Sequence, residues 1–322
     1  MSVKYQQSLS AFATVLTFIV IVLGAYTRLS DAGLGCPDWP GCYGKLIVPN
    51  AHSLPLDSPI DTTKAWIEMT HRYVAGFLGL IILSLAVLAI RNRHAKNQPL
   101  ILPIFLVLLV VFQALLGMWT VTLKLYPIIV LAHLLGGLTT LAGLGYLTLT
   151  LRNMSYISLN NNRIHSSQTF KYLAFFALIA LVLQIALGGW TSANYAALVC
   201  PGFPYCHNAT LSIFPTGSDL QDAFQLLKPS LSLEARIAVH MMHRIGAVII
   251  TFILAWLIFF SYKTHMKKFS LCLGVLLSVQ LLLGISNVIA RLPLSIAVAH
   301  NAVAALLLLA LVSLNFKLQA RV

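Results

Sequence analysis

Eight separate stretches of this chain are apolar for about twenty residues each, the length an α-helix needs to cross the hydrocarbon core of a bilayer. They run roughly over 8–28, 71–90, 100–121, 127–151, 170–192, 240–262, 269–290 and 294–315. Composition agrees, with 59% of residues hydrophobic and 9% charged, against about 25% charged in a soluble domain. We therefore expect an all-α membrane protein whose eight transmembrane helices sit in a lipid bilayer. Only Lys4 precedes the first stretch as a charge, the stretch is too long for the apolar region of a signal peptide, and no cleavage site follows it. It is expected to remain as a span. No Arg- and Ser-rich transit segment precedes it, which favours a bacterial inner (plasma) membrane over an organelle.

The net charge of +13 would suit a nucleic-acid partner, but its distribution argues for none. Segments on one side of the spans are the N-terminus, 91–99, 152–169, 263–268 and the C-terminus. With Lys171, they hold twelve basic residues, from Lys4 to Arg321, and no acid. All 8 acidic residues lie on the other side. The positive-inside rule then places both termini in the cytoplasm and the two long loops, 29–70 and 193–239, outside. Amphipathic stretches in these loops, such as 219–236, are expected at the membrane interface. The connections near 122–126 and 291–293 read as tight turns.

An internal repeat organises the whole chain. Residues 36–42 read C-P-D-W-P-G-C and residues 200–206 read C-P-G-F-P-Y-C. Each follows a span ending G-x-aromatic-T, at Gly24–Thr27 and Gly188–Thr191. Thr70-His71-Arg72 corresponds to Met242-His243-Arg244, Gln113 and Gly117 to Gln280 and Gly284, and His133 to His300. The repeat predicts two four-helix bundles, 1–151 and 170–322, joined by a polar cytoplasmic linker, 152–169. Each half starts and ends on the same side, so the halves are related by an axis along the membrane normal.

Ionisable residues within a span are functional by default. His71 and His133 in one half, and His243 and His300 in the other, are expected at one depth, each pair on two antiparallel helices, with His71 and His243 opening their spans. An isolated intramembrane histidine is commonly a satisfied interhelical hydrogen-bonder. Four of them, paired by a repeat, point to haem held through both axial positions. Gly76, Gly136, Gly137 and Gly246 lie one turn away and would make room for a macrocycle, although small residues also pack membrane helices. Arg72 and Arg244 follow the histidines and are candidates for binding propionates, or interfacial anchors. His94, His165 and His265 lie in cytoplasmic loops, and His52 and His207 in outer loops. Zinc competes poorly, because no cysteine or carboxylate cluster completes a tetrahedral set.

Four of the 5 cysteines form two C-x5-C pairs in the outer loops, where the compartment is oxidising. Disulfides Cys36–Cys42 and Cys200–Cys206 are expected, either bracing the loops or exchanging with a thiol partner. Cys272, within the seventh span, is expected to serve packing.

Taken together, these residues resemble the haem A synthase family of cytochrome oxidase assembly. The run T-R-L-S-D-A-G-L-G-C-P-D-W-P-G-C-Y-G at 27–44 is similar to that family's most characteristic segment, and E-M-T-H-R at 68–72 to its second. The resemblance covers the whole chain. It implies oxidation of the C8 methyl of haem O to a formyl group, by successive hydroxylations with water-derived oxygen. It further implies that His71 and His133 flank the iron of haem O in the first half, while His243 and His300 hold a permanent haem b in the second. Glu68 matches the family's acidic residue, three before the histidine and on the same helix face. His240 takes that place in the second half, so the acid is missing there. A carboxylate beside the reacting methyl can stabilise a developing cation or take up a proton.

Haem O synthase and an electron acceptor are implied as partners, and a homo-oligomer stays open. Composition and spacing alone also allow a di-haem b electron carrier. A thiol oxidoreductase lacks a C-x-x-C motif, and a transporter lacks the broken-helix signature at mid-membrane.

Overall fold

The computed structural model describes residues 3–50, 60–156, 167–203, 206 and 217–319. His52, His165, His207 and most of the linker at 152–169 lie outside the described residues. Among the described residues the fold is all-helical: α1 (Val3–Leu29), α2 (Thr62–Arg91), α3 (Ile101–Thr122), α4 (Pro127–Tyr156), α5 (Gln168–Ala193), α6 (Gly217–Ala223), α7 (Leu233–Lys263), α8 (Lys267–Ile289) and α9 (Leu294–Gln319). All but the short α6 are long and apolar enough to cross a membrane, as the eight stretches predict.

Two helices begin earlier than hydropathy marks them. Asp61 caps α2 by accepting from the Lys64 amide at 3.1 Å, and Ser232 caps α7 by accepting from the Ala235 amide at 3.1 Å. Side-chain caps of this kind satisfy first-turn amides that have no intrahelical partner. Both helices therefore extend beyond the apolar run, through polar residues such as Lys64 and Glu68. His71 and His243 do not open their helices. They lie nine and ten residues inside α2 and α7, about 14 and 15 Å at the usual helical rise.

The chain divides into two compact units, Met1–Asn162 and Arg163–Arg321. In the first, α1 and α3 each pack on α2 and on α4, so the four helices form a ring. In the second, α5 and α8 each pack on α7 and on α9, and α6 lies on α7. The paired histidines thus stand on diagonal helices, α2 with α4 and α7 with α9. Because each ring alternates up and down, diagonal helices run in the same direction. The antiparallel arrangement expected for the histidine pairs is corrected by this connectivity.

Away from the long-loop end, the first ring is filled by Leu16, Leu78, Ile82, Leu85, Leu106, Leu144 and Leu147. In lipid such a core is held by close packing rather than by exclusion of water. A few polar contacts add direction. Ser10 Oγ and Thr148 Oγ1 share a hydrogen bond of 2.8 Å between α1 and α4, and Asn315 Nδ2 donates to the Ala174 carbonyl at 3.0 Å between α9 and α5.

The repeat reaches into the backbone. Asp31 and Tyr195, after α1 and α5, have φ of 51° and 52°. Next to them, the Ala32 amide donates to Thr27 O at 3.0 Å and the Ala196 amide to Thr191 O at 2.9 Å. The α3–α4 and α8–α9 turns each hold two consecutive left-handed residues, Lys124 with Leu125 and Arg291 with Leu292. The segment 219–236 spans more than one element. It contains the end of α6, a turn and the start of α7, and Trp190 Nε1 donates to the Ala223 carbonyl at 2.8 Å. Cys272 is exposed on α8 rather than packed inside.

Candidate functional site

The rings of His71 and His133 have centroids 6.4 Å apart and planes at 84°. Each of the four histidines is seated against a glycine of the neighbouring helix. A methyl group added at Gly24 would stand 3.0 Å from His71 Cε1, and one at Gly117 would stand 3.4 Å from His133 Cε1. In the second unit the corresponding distances are 2.9 Å from Gly188 to His243 Cε1 and 3.2 Å from Gly284 to His300 Cε1. Each ring also reaches the backbone of the residue four positions before its glycine: Val20, Gln113, Gln184 and Gln280 respectively. His243 lies within electrostatic reach of His300.

These seats are built from glycines that the sequence marks only as repeat positions. Of the glycines expected to make room for a macrocycle, two are filled by side chains and two stand in open or nearly open space. Gly136 and Gly246 house the side chains of Gln113 and Gln184, Gly137 meets only Ile21 at 3.9 Å, and Gly76 has nothing within 4 Å.

The donor set fits haem. Two imidazoles that share an iron, each with a metal–nitrogen bond of about 2 Å, have ring centroids roughly 6 Å apart. The Nδ1 atoms of His71, His133 and His300 are buried without a hydrogen-bond partner of normal geometry, which suits rings held for another purpose. Among the described residues no three His, Cys, Asp or Glu cluster to hold a bare metal ion. A metal between two of these histidines would find no third ligand of these types among the described residues.

On the long-loop side of His71, Glu68 is buried at 4% exposure. Its Oε2 accepts from the Cys36 amide at 2.9 Å, and its Oε1 pairs with Arg72 Nη2. Arg72 Nη1 donates to the carbonyls of Asp38 at 2.9 Å and Gly41 at 2.6 Å. Asp38 in turn accepts from the Tyr43 and Gly44 amides at 2.6 and 2.8 Å. The loop so held is closed by the Cys36–Cys42 disulfide and packs its cysteines on Ala65 and Met69 of α2.

The second unit repeats the plan with two exchanges, of which Gly202 for Asp38 is one. Cys200 and Cys206 are bonded, and Arg244 donates to the carbonyls of Gly202 and Cys200, both at 2.7 Å. In place of Glu68 stands His240, whose Nδ1 lies 3.0 Å from the Ala196 carbonyl. Both arginines offered by the sequence as propionate partners are engaged here by the disulfide loops. That bonding joins residues more than thirty positions apart, and no local sequence signal carries it.

A family model described as cytochrome oxidase assembly protein (COX15-CtaA) matches residues 7–312. The chain is 47% identical over 317 residues to a haem A synthase of Shewanella oneidensis, covering 94% of this chain and 93% of the relative. It is 28% identical over 313 residues to a haem A synthase of Alkalihalophilus pseudofirmus, covering 94% and 93%. A haem A synthase of Shouchella clausii is 26% identical over 285 residues, covering 87% and 84%.

Proposed function

The chain belongs to the cytochrome oxidase assembly protein family, and on that premise we propose that it is a haem A synthase, a membrane enzyme that oxidises the C8 methyl of haem O to a formyl group. The first unit takes haem O between His71 and His133, and the second retains haem b between His243 and His300. The observation that carries this division is the exchange at the position three before the first histidine of each pair. A buried carboxylate, Glu68, precedes the histidine in the first unit, and His240 stands there in the second.

Conversion of a methyl to a formyl group with oxygen from one water releases four electrons and four protons. His243 and His300 would hold haem b, which would supply one-electron chemistry when bound. The residues of the chain bind, orient and stabilise charge. His71 and His133 fix the substrate ring between α2 and α4. Glu68, one turn from His71, places a negative charge where it can stabilise cationic character at the oxidised carbon. Its pairing with Arg72 and the Cys36 amide holds the carboxylate in place and closes the loop over the long-loop end of the ring.

The distribution of basic residues supports an orientation with both termini in the cytoplasm and the disulfide loops outside. The substrate is hydrophobic, so it is delivered within the bilayer by the enzyme that makes haem O. The test is expression in a cell that makes haem O but no haem A. Appearance of haem A, and its loss with Glu68→Gln, supports the reading. Haem O persisting unchanged contradicts it.

A further inference from the structure

The four histidine seats share a glycine and the backbone four residues before it. They differ in the side chain that this backbone residue carries. It is Gln113, Gln184 and Gln280 in three seats, and Val20 in the seat of His71. Gln184 Nε2 donates to the main-chain carbonyl of His243 at 2.9 Å and lies 3.0 Å from its Nδ1. Gln280 Nε2 lies 3.3 Å from His300 Nε2. The side chain of Val20 has no group that can make such a contact, which leaves His71 with the Val20 backbone alone.

The repeat makes the comparison of His71 with His243 a controlled one. Against a methyl placed on Gly24, the Cε1, Nδ1 and Nε2 atoms of His71 stand at 3.0, 3.5 and 3.5 Å. Against one placed on Gly188, the same atoms of His243 stand at 2.9, 3.5 and 3.4 Å. The rings therefore lie in equivalent seats, and the neighbouring side chain is what changes. Gln184 ties α5 to α7 at the ligand itself. Its Oε1 is buried without a hydrogen-bond partner, so the amide can also turn over and accept from Nδ1–H when Nε2 is the ligating atom. A hydrogen bond to the nitrogen that is not on the metal sets the orientation and basicity of a ligating imidazole, and losing it typically weakens metal binding about 10–100-fold.

We propose that Gln184 is a positioning residue that locks His243 as a permanent ligand, and that Val20 at the equivalent place leaves His71 a releasable one. Retention of haem in one unit and exchange of haem in the other are then set by this pair of positions. The inference rests on the division of roles proposed above. It goes further in naming what makes one site keep its haem and the other let it go.

The test uses the haem-loaded protein in detergent, mixed with excess apomyoglobin as a haem scavenger and followed by absorbance. His71→Ala and His243→Ala variants assign the fast and slow phases of haem loss to their units. Gln184→Val is expected to speed loss from the second unit about 10–100-fold and to change the low-spin ferric EPR signal of that haem. Gln184→Glu, which keeps an acceptor but loses the donor to the His243 carbonyl, is expected to fall between the wild type and Gln184→Val. Val20→Gln is the gain-of-function counterpart, expected to slow loss from the first unit by a similar factor and to alter its EPR signal. Wild-type rates and signals in both Gln184→Val and Val20→Gln, with the phases assigned as proposed, would overturn the inference alone. Should Gln184→Val fail to assemble, Val20→Gln decides by itself. Loss of the slow phase in His71→Ala would instead overturn the division of roles beneath it.

Discussion

His71 and His133 face each other across the first ring of helices, with centroids 6.4 Å apart and planes nearly perpendicular at 84°. Neither helix that carries them touches the other closely. The two residues meet because α2 and α4 are diagonal and because glycines on α1 and α3 let each ring lie flush with the wall. The facing rings are thus seated by four helices at once, two carrying the imidazoles and two offering bare backbone.

That arrangement makes the wall glycines sensitive. Gly24→Ala places a Cβ 3.0 Å from His71 Cε1, and Gly188→Ala places one 2.9 Å from His243 Cε1. The ring must turn or the helices must part, at a cost of about 1–3 kcal/mol typical of overpacked sites. Each substitution is expected to weaken haem binding at least tenfold in its own unit while sparing the other. Haem-to-protein ratios, with the EPR signal of the surviving haem, check this.

Glu68 joins two functions that substitutions can separate. Glu68→Gln removes the charge but keeps an oxygen for the Cys36 amide, whereas Glu68→Ala removes both. Conversion of haem O is expected to fall at least tenfold in either variant, with haem b content unchanged. Glutamine leaves Arg72 without its carboxylate and alanine also unpairs the Cys36 amide, so the alanine variant should lose about 1–3 kcal/mol more stability, the cost of a further buried donor left unpaired. Chromatography of extracted haems and a thermal melt separate the two effects.

Arg72 and Arg244 are expected to act on their loops. Arg72→Ala releases the carbonyls of Asp38 and Gly41, and Arg244→Ala those of Cys200 and Gly202. Hydrogen exchange at residues 36–44, or at 200–203, should rise severalfold in the matching variant alone. Arg72→Lys should not restore protection, since a point-like ammonium cannot reproduce the planar fork that reaches two carbonyls and Glu68.

The Cys36–Cys42 pair closes a short loop that Glu68 and Arg72 already hold. Replacing both cysteines by serine is expected to cost about 2–3 kcal/mol by the chain-entropy relation, lowering the melting temperature while haem b is retained and some haem A is still made. Complete loss of conversion with haem content intact would point to thiol exchange instead of bracing.

Much of this was legible in the sequence because the decisive signals are local or periodic. Eight apolar runs announce the spans, and the spacing of His71, His133, His243 and His300 announces equivalent sites. Hydropathy stopped at the last apolar residue, so it missed the capped extensions of α2 and α7 that place Glu68 under the disulfide loop. The wall glycines were visible as repeated letters, but which ring each one faces depends on the ring of helices. Diagonal, same-direction pairing of α2 with α4 follows from counting passes, and the expectation of antiparallel pairing overlooked it. The bonds from Arg72 and Glu68 to residues 36–41 join segments some thirty positions apart, a distance over which residue type alone specifies no partner.

The most direct test of the central claim is haem extraction and mass analysis from purified protein co-expressed with a haem O synthase, comparing wild type with His71→Ala and His243→Ala. The account predicts haem b together with haem O or haem A in the wild type, loss of only the modified haem in His71→Ala, and loss of haem b in His243→Ala. Two equivalents of haem b, unaffected by co-expression, would contradict it and identify the chain as a di-haem electron carrier.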